Sequence, residues 1–267
     1  MTIPASSGDD PQREPPGDDG QIRHSIRIPF GTSIPIAGWV LLVVNIVIWA
    51  VPALLTTLGV QAFGLPLDLV VLALGWKDNA EILNGAYYRL ITATFLHSSL
   101  MHIGFNAYAI YALGFHAERV YGTPRFLALY FLAGLGGSVA SYMFNPSPAV
   151  GASGAVFGMV GGLAVFYYVA RGILGESSRQ MIGNMAFIVL INLGFGLTLP
   201  SIDNFGHIGG LIAGMIAGAA LAPRYRVAFD GVMPVIQRMS LPFAWPAALA
   251  LLAGLIVLVM TTQPPLR

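Results

Sequence analysis

The sequence contains no cysteine and few charged residues. Only 9% of its 267 residues are charged, whereas about a quarter are charged in an average soluble domain. The absence of cysteine excludes disulfides, thiol catalysis and cysteine metal sites, and it leaves the redox compartment open. Hydrophobic residues make up 56% of the chain. Together these values predict a polytopic membrane protein.

Neither the net charge nor the N-terminal composition indicates nucleic-acid binding or organelle import. The formal net charge is +1 and no run is rich in lysine or arginine, which argues against nucleic acid as a partner. Residues 1–30 are rich in proline, glycine, aspartate and serine, so we predict a disordered N-terminal tail. Its acidic residues argue against a transit peptide, and no early apolar region resembles a cleaved signal. We therefore expect the first membrane helix to stay attached.

Seven hydrophobic segments reach the length of about 20 residues that a membrane helix needs. They are predicted at residues 34–55, 90–114, 124–143, 151–170, 181–199, 204–222 and 241–260. Residues 60–74 are also apolar, but this stretch is short and is interrupted by Pro66 and Asp68. It is predicted to be an interfacial or protein-buried piece of a long first outer loop. The predicted fold is all-α.

The basic residues predict the orientation, because lysine and arginine in short loops mark the cytoplasmic side. With the N-terminus inside, ten basic residues fall on the inner side and three on the outer side. The inner set is Arg13, Arg23, Arg27, Arg119, Arg125, Arg171, Arg179, Arg224, Arg226 and Arg238; the outer set is Lys77, Arg89 and Arg267. Counting residues 60–74 as a span would move seven of these arginines outside. We therefore predict a cytoplasmic N-terminus and a non-cytoplasmic C-terminus.

Three of the hydrophobic segments carry polar side chains that suggest chemistry. Ser153 lies at the start of one segment, and His207 lies one turn inside the start of another. A third segment carries His97, His102 and Asn106. Polar groups in such segments are expensive unless they serve a function. All three segments run from outside to inside in the predicted topology, so one outward-facing site can collect these residues, with His207 as the base for Ser153.

Glycines repeat every four residues on the serine and histidine segments. The first set is Gly154, Gly158 and Gly162, and the second is Gly206, Gly210, Gly214 and Gly218. Small residues let membrane helices approach closely. We predict that these two helices form a tight pair with Ser153 and His207 at matching depth, although helix packing alone also explains a glycine stripe.

Three motifs occur in order on these segments. They are Gly-x-Ser-Gly at 151–154, His97 followed by His102-x-x-x-Asn106, and His207 before a glycine pair at 209–210. In this combination they resemble the rhomboid family of intramembrane serine proteases, over about residues 34–222. The resemblance implies a rhomboid-like six-helix bundle as the core, residues 31–222. It leaves residues 223–267 as a cytoplasmic linker and one extra C-terminal transmembrane helix.

The resemblance also implies roles for individual residues. Ser153 would be the nucleophile and His207 the general base, in a dyad without an orienting carboxylate. The oxyanion hole would consist of the backbone N–H of Ser153 with the side chains of His102 and Asn106. The supporting residues would be His97, Phe157 packed on the imidazole, Gly151 and Gly154, with Arg89, Glu118 and Arg119 as structural residues. Tyr88 departs from the family, which usually has tryptophan there.

The expected function is hydrolysis of transmembrane protein substrates within the lipid bilayer, with no cofactor and no metal. The expected location is the plasma membrane of a bacterium, with the site open to the non-cytoplasmic side. Metal binding or transport is an alternative, because His97, His102 and His207 lie at similar predicted depth. It leaves Ser153 unexplained, and no intramembrane carboxylate or thiolate completes such a site. A catalytically dead relative that binds clients would lack the serine or the histidine, and this chain has both.

Overall fold

The computed structural model describes residues 34–231 and 233–266. The predicted disordered tail, residues 1–30, lies outside the described residues. The helices are α1 (Ile36–Thr57), α2 (Leu67–Gly75), α3 (Asn79–Leu83), α4 (Arg89–Thr92), a 3-10 turn (Ala93–Phe95), α5 (Leu100–Ala109), a π-helical turn (Ile110–Gly114), α6 (Phe115–Tyr121), α7 (Thr123–Phe144), α8 (Ser153–Val169), α9 (Arg171–Leu174), α10 (Glu176–Thr198), α11 (Asn204–Leu221) and α12 (Ala244–Thr261). Two antiparallel hairpins pair β1 (Gln61–Ala62) with β2 (Leu65–Pro66) and β3 (Arg224–Asp230) with β4 (Met233–Met239).

The described helices follow the order of the predicted membrane spans. Five of them, α1, α7, α10, α11 and α12, are long and apolar enough to cross a membrane. Helix α8 is also apolar, but with 17 residues it is slightly shorter than these five helices. Helices α5 and α6 continue through the π-helical turn over residues 100–121. The chain is therefore a polytopic all-α membrane protein.

The second span differs from its predicted bounds of 90–114. Residues 89–95 form α4 and the 3-10 turn, and Leu96 is extended. Helix α5 begins only at Leu100, because the Ser99 side chain caps it by accepting the backbone N–H of His102 at 3.2 Å. Serine is a preferred N-cap residue. His97 therefore lies in the loop before the helix, and its predicted place inside the span was wrong.

The loop between the first two predicted spans contains the short helix α2. Its nine residues are too few to cross a bilayer, in line with the prediction for residues 60–74. The buried side chain of Arg89 donates from Nη1 to the carbonyls of Ala73 at 2.8 Å and Trp76 at 3.2 Å. A cation that binds the last carbonyls of a helix stabilises that end. Arg89 thus fixes α2 to the bundle, in agreement with its expected structural role.

The predicted linker after α11 contains the hairpin β3–β4, which the sequence analysis missed. The alternation of Tyr225, Val227 and Phe229 with other residues is a strand signal that was available. Arg238 on β4 donates from Nη2 to the carbonyls of Val120 and Tyr121, each at 2.9 Å. The hairpin therefore packs against the end of the bundle at which α6 and α11 end.

The glycine repeats lie between α8 and α11. A Cβ atom on Gly210 would overlap the Gly154 carbonyl oxygen, and one on Gly214 would overlap that of Gly158. Only glycine permits such backbone contact. The predicted tight pair is therefore confirmed.

A third helix joins this contact, which the sequence analysis did not predict. A Cβ atom on Gly137 of α7 would lie 2.7 Å from the Gly206 carbonyl oxygen and 3.1 Å from the Gly154 Cα. Helices α7, α8 and α11 thus form one close-packed centre, and Ser153 and His207 both lie at its edge.

Candidate active site

Ser153 is the first residue of α8 and follows a glycine with unusual backbone geometry. Gly151 has φ of +125°, a conformation that side chains disfavour. A Cβ atom there would lie 2.6 Å from His102 Nε2 and 3.7 Å from Ser153 Oγ. The His102 nitrogen and the serine hydroxyl therefore border the same small space. Glycine is needed at 151 for its conformation and for this close approach.

His207 lies in the first turn of α11, parallel to an aromatic ring on α8. Asp203 caps this helix, since its Oδ1 accepts the Gly206 N–H at 3.2 Å. The His207 ring stacks on Phe157 with centroids 4.3 Å apart and an interplanar angle of 10°. Phe157 lies four residues after Ser153, so both occupy the same face of α8. The expected contact between Phe157 and the imidazole is present.

The Nδ1 atom of His207 is buried. Within residues 34–231 and 233–266, no group hydrogen-bonds to the buried Nδ1. The ring is oriented by its stack on Phe157 and by the close backbone contact between Gly210 and Gly154. This contact lies one residue after Ser153 and three after His207, which places both side chains at the same level of the helix pair.

His97 contacts both the serine turn and His102. Its Nε2 accepts the backbone N–H of Ala152, the residue before Ser153, at 3.5 Å. Its ring meets that of His102 edge to face, with centroids 5.0 Å apart. His97 is buried, and its side chain meets the backbone of Ala152 and the ring of His102.

His102 is oriented so that its Nε2 atom can donate a hydrogen bond into the space beside Ser153. Its Nδ1 lies 3.3 Å from the Ser98 hydroxyl. When that hydroxyl donates, the neutral imidazole carries its proton on Nε2. This is the nitrogen that faces the space beside Gly151 and Ser153. The sequence analysis did not single out Ser98.

Asn106 lies one turn after His102 on the same face of α5. It is 5% exposed, and its Nδ2 donates to the His102 carbonyl at 3.1 Å. An amide group has two N–H donors, and among the described residues one of them has no acceptor and stays available. The structure thus gives Asn106 a structural hydrogen bond without using its full donor capacity.

A small cavity of about 40 Å³ adjoins Ser153. Its polar lining includes Lys77, Ser138, Ser141 and Asp203. Lys77 is 1% exposed, although the sequence analysis treated it only as a charge in an outer loop. Lys77 is the single lysine of the whole sequence, and this was the available signal.

In the described part of the chain, no group of three or more histidine, cysteine, aspartate or glutamate residues is placed to hold a metal ion. The arrangement instead combines a serine hydroxyl, an imidazole packed beside the same helix face, and donors near the serine.

Known proteins resemble this chain over its central part. Residues 84–224 match the family described as Rhomboid domain. The chain is 46% identical over 151 residues to rhomboid protease GluP of Bacillus subtilis, covering 57% of this chain and 29% of that protein. It is 35% identical over 161 residues to RHOMBOID-like protein 4 of Arabidopsis thaliana, covering 60% and 40%. It is 32% identical over 154 residues to Rhomboid-like protease 3 of Toxoplasma gondii, covering 56% and 57%.

In each of these alignments, the matched region spans less than two thirds of the relative's own length. The family match itself covers more than half of this chain and includes Ser153, His207, His102 and Asn106. The protein belongs to the rhomboid family.

Proposed function

We propose that this protein is an intramembrane serine protease that hydrolyses peptide bonds in or near transmembrane segments of its substrates through a Ser153–His207 dyad. The observation that carries the proposal is the parallel stack of His207 on Phe157, one helical turn from Ser153. The stack supports an imidazole that is held beside the serine by an aromatic ring. A carboxylate hydrogen bond to the imidazole is then not required. Family membership supports the same chemistry.

In the acylation step, Ser153 Oγ attacks the carbonyl carbon of the scissile bond while His207 takes the hydroxyl proton. The bond to the leaving nitrogen then breaks, and His207 returns the proton to that nitrogen. The product is an ester between Ser153 and the N-terminal part of the substrate. Water next attacks the ester carbon while His207 takes a proton from it. His207 then gives this proton to Ser153 Oγ as the ester bond breaks, and the N-terminal product leaves as a carboxylic acid.

The negative charge on the carbonyl oxygen forms beside the serine. The proposed donors are the Ser153 backbone N–H, His102 Nε2 and the second amide N–H of Asn106. The position of the Ser153 N–H at the start of α8 supports this, because helix N-termini favour negative charge. His102 Nε2 borders the same space as the serine hydroxyl. His97 and Gly151 would keep the turn and His102 in place, and Gly154 would permit the helix contact.

We propose residues 31–222 as the protease core, and residues 223–267 as a cytoplasmic linker with the seventh transmembrane helix. The proposed orientation has the N-terminus in the cytoplasm of a bacterium and the site open on the other side of the plasma membrane. The position of Arg238 at the bundle end away from His207 supports this.

The test is cleavage of single-pass membrane segments by purified protein in detergent. Segments that contain small and helix-breaking residues near the outer end of the helix should be cleaved. Ser153→Ala and His207→Ala should abolish the fragments while leaving the melting temperature close to that of the parent protein. Cleavage that survives either change would contradict the dyad, and inhibition by a chelator that zinc reverses would favour a metal site.

A further inference from the structure

Two polar side chains of the first outer loop are buried although they serve no proposed chemical step. Lys77 is 1% exposed and Asn79 is 3% exposed. Burial of a charged or amide group is costly unless hydrogen bonds replace its water. These bonds therefore indicate what the two residues contribute.

Both residues bind the end of α7. Lys77 Nζ donates to the carbonyl of Asn145 at 2.7 Å, and it also reaches Asn79 Oδ1 at 3.1 Å and the Ser141 carbonyl at 3.4 Å. Asn145 is the C-cap of α7. A cation stabilises the negative end of a helix dipole. Lys77 and Asn79 thus bind the carbonyl at the end of α7, where the chain turns towards Ser153.

The Asn79 amide also binds the chain after α12, the helix predicted as the seventh membrane span. Asn79 Nδ2 donates to the Asn145 carbonyl at 3.1 Å and to the Pro265 carbonyl at 2.7 Å. Pro265 follows α12, whose own side chains pack on the bundle at Ala244 and Ala248. One buried side chain therefore joins the first outer loop, the end of α7 and the segment after α12.

The backbone of Lys77 extends this connection towards the serine. Its N–H donates to the Ala149 carbonyl at 2.9 Å, and the Ala149 N–H donates to the Lys77 carbonyl at 3.1 Å. Two residues later, the Gly151 N–H donates to the Ala93 carbonyl at 2.9 Å. The segment 145–151 that leads to Ser153 is thus fixed at three points, two of them by Lys77 or its neighbour Asn79.

We infer that Asn79 is a positioning residue for the turn before Ser153, and that the segment after α12 helps to hold the same turn. The inference rests on the proposed function, because it assigns a role in placing Ser153. Helix α12 then contributes to the outer end of the site through Pro265, which follows it, although α12 lies outside the proposed six-helix core.

Asn79→Asp tests this with little change in shape. The carboxylate still accepts from Lys77, so the buried cation keeps this partner. Both N–H donors are lost, and the carbonyls of Asn145 and Pro265 then face an oxygen. We expect faster amide hydrogen exchange in peptides covering 145–152. We also expect labelling of Ser153 by a fluorophosphonate to slow by about tenfold to a hundredfold, because small displacements of a reacting group have effects of that size.

Asn84→Asp is the matched control, since it makes the same chemical change at an exposed position of the same loop. It should leave exchange and labelling unchanged. If Asn79→Asp does not fold, Asn79→Ser gives a milder loss of reach without a new charge, and it should change both readouts in the same direction. Pro264→Gly tests the tail separately, because it loosens a buried position beside Pro265. It should raise exchange in 145–152 by less than Asn79→Asp does.

Unchanged exchange and labelling in a folded Asn79 variant would overturn the inference. A response to Asn79→Asp without any response to Pro264→Gly would overturn the part that concerns the tail. If the parent protein itself fails to react with fluorophosphonate and cleaves no substrate, the proposed function fails instead. The exchange measurement does not depend on activity and still decides whether Asn79 holds the segment.

Discussion

The His207 imidazole lies parallel to the Phe157 ring, with centroids 4.3 Å apart. The stack joins α11 to α8 one turn beyond Ser153. In the proposed dyad it takes the place of the carboxylate that orients the histidine in a triad. An aromatic ring constrains the plane of an imidazole but gives it no hydrogen bond, so the arrangement is sensitive to the shape of residue 157.

Phe157→Leu should therefore lower activity more than stability. Aromatic pairs contribute about 0.5–1.5 kcal/mol beyond their buried area, which corresponds to roughly two- to tenfold in rate. We expect a fall of that size in the turnover number, measured on a cleaved membrane segment. Phe229→Leu is the control, because Phe229 is 73% exposed on the hairpin at the other end of the bundle. Equal loss in both variants would contradict the orienting role.

The contact between α8 and α11 should not tolerate a methyl group. Gly214→Ala places a Cβ against the Gly158 carbonyl, and overpacking of this kind costs about 1–3 kcal/mol. Thermal unfolding in detergent should show a clear fall in melting temperature. Gly254→Ala makes the same change inside α12, where no atom lies within 4 Å of the new Cβ. That control should be neutral or slightly stabilised, and a similar fall there would mean that the close packing is not the cause.

Asn106→Ala separates transition-state binding from architecture. Loss of one oxyanion donor costs about 2.7–4 kcal/mol, roughly a hundred- to a thousandfold in rate. The turnover number should fall by that amount with little change in the Michaelis constant or the melting temperature. Asn192→Ala on α10 is the control, since Asn192 makes the same amide bond to the carbonyl four residues earlier, at 2.8 Å to Ile188. A destabilised but fully active Asn106→Ala enzyme would rule out the oxyanion role.

Changing Ser98 to alanine should mainly slow turnover, whereas changing Ser99 to alanine should mainly lower stability. Ser98→Ala removes the hydroxyl beside His102 Nδ1, so the ring no longer has a partner that favours a proton on Nε2. We expect slower turnover at nearly unchanged stability, with activity restored by Ser98→Thr. Ser99→Ala removes the N-cap of α5, which should cost about 1 kcal/mol of stability. Loss of turnover in Ser98→Thr equal to that in Ser98→Ala would contradict the role of the hydroxyl.

The orientation of the chain can be measured directly. A reporter fused after Arg267 should be non-cytoplasmic, and one inserted near Gly8 should be cytoplasmic, because ten of the thirteen basic residues lie on the predicted inner side. Alkaline phosphatase and a fluorescent protein read the two sides independently. If both ends lie on the same side, one of the seven segments does not cross the membrane.

The sequence by itself determined the features that depend on patterns along one helix. Hydrophobic length predicted the spans in order, and the four-residue repeat at Gly154, Gly158, Gly210 and Gly214 predicted the contact between two helices. These predictions succeed because a membrane helix must satisfy its own backbone and can approach a neighbour only through small residues. The rhomboid motifs could be recognised for the same reason, since each lies within a few residues of one segment.

Only the tertiary structure decided which backbone carbonyls and N–H groups the polar side chains meet. His97 reaches the N–H of Ala152, and Asn79 reaches the carbonyl of Pro265, 186 positions away. Every residue carries a backbone carbonyl, so such a partner leaves no mark in the sequence. The start of α5 at Leu100, by contrast, had a local signal in Ser99, a preferred N-cap residue. The supports of the candidate site are therefore set by the packing of distant segments, whereas its reactive groups are visible in the sequence.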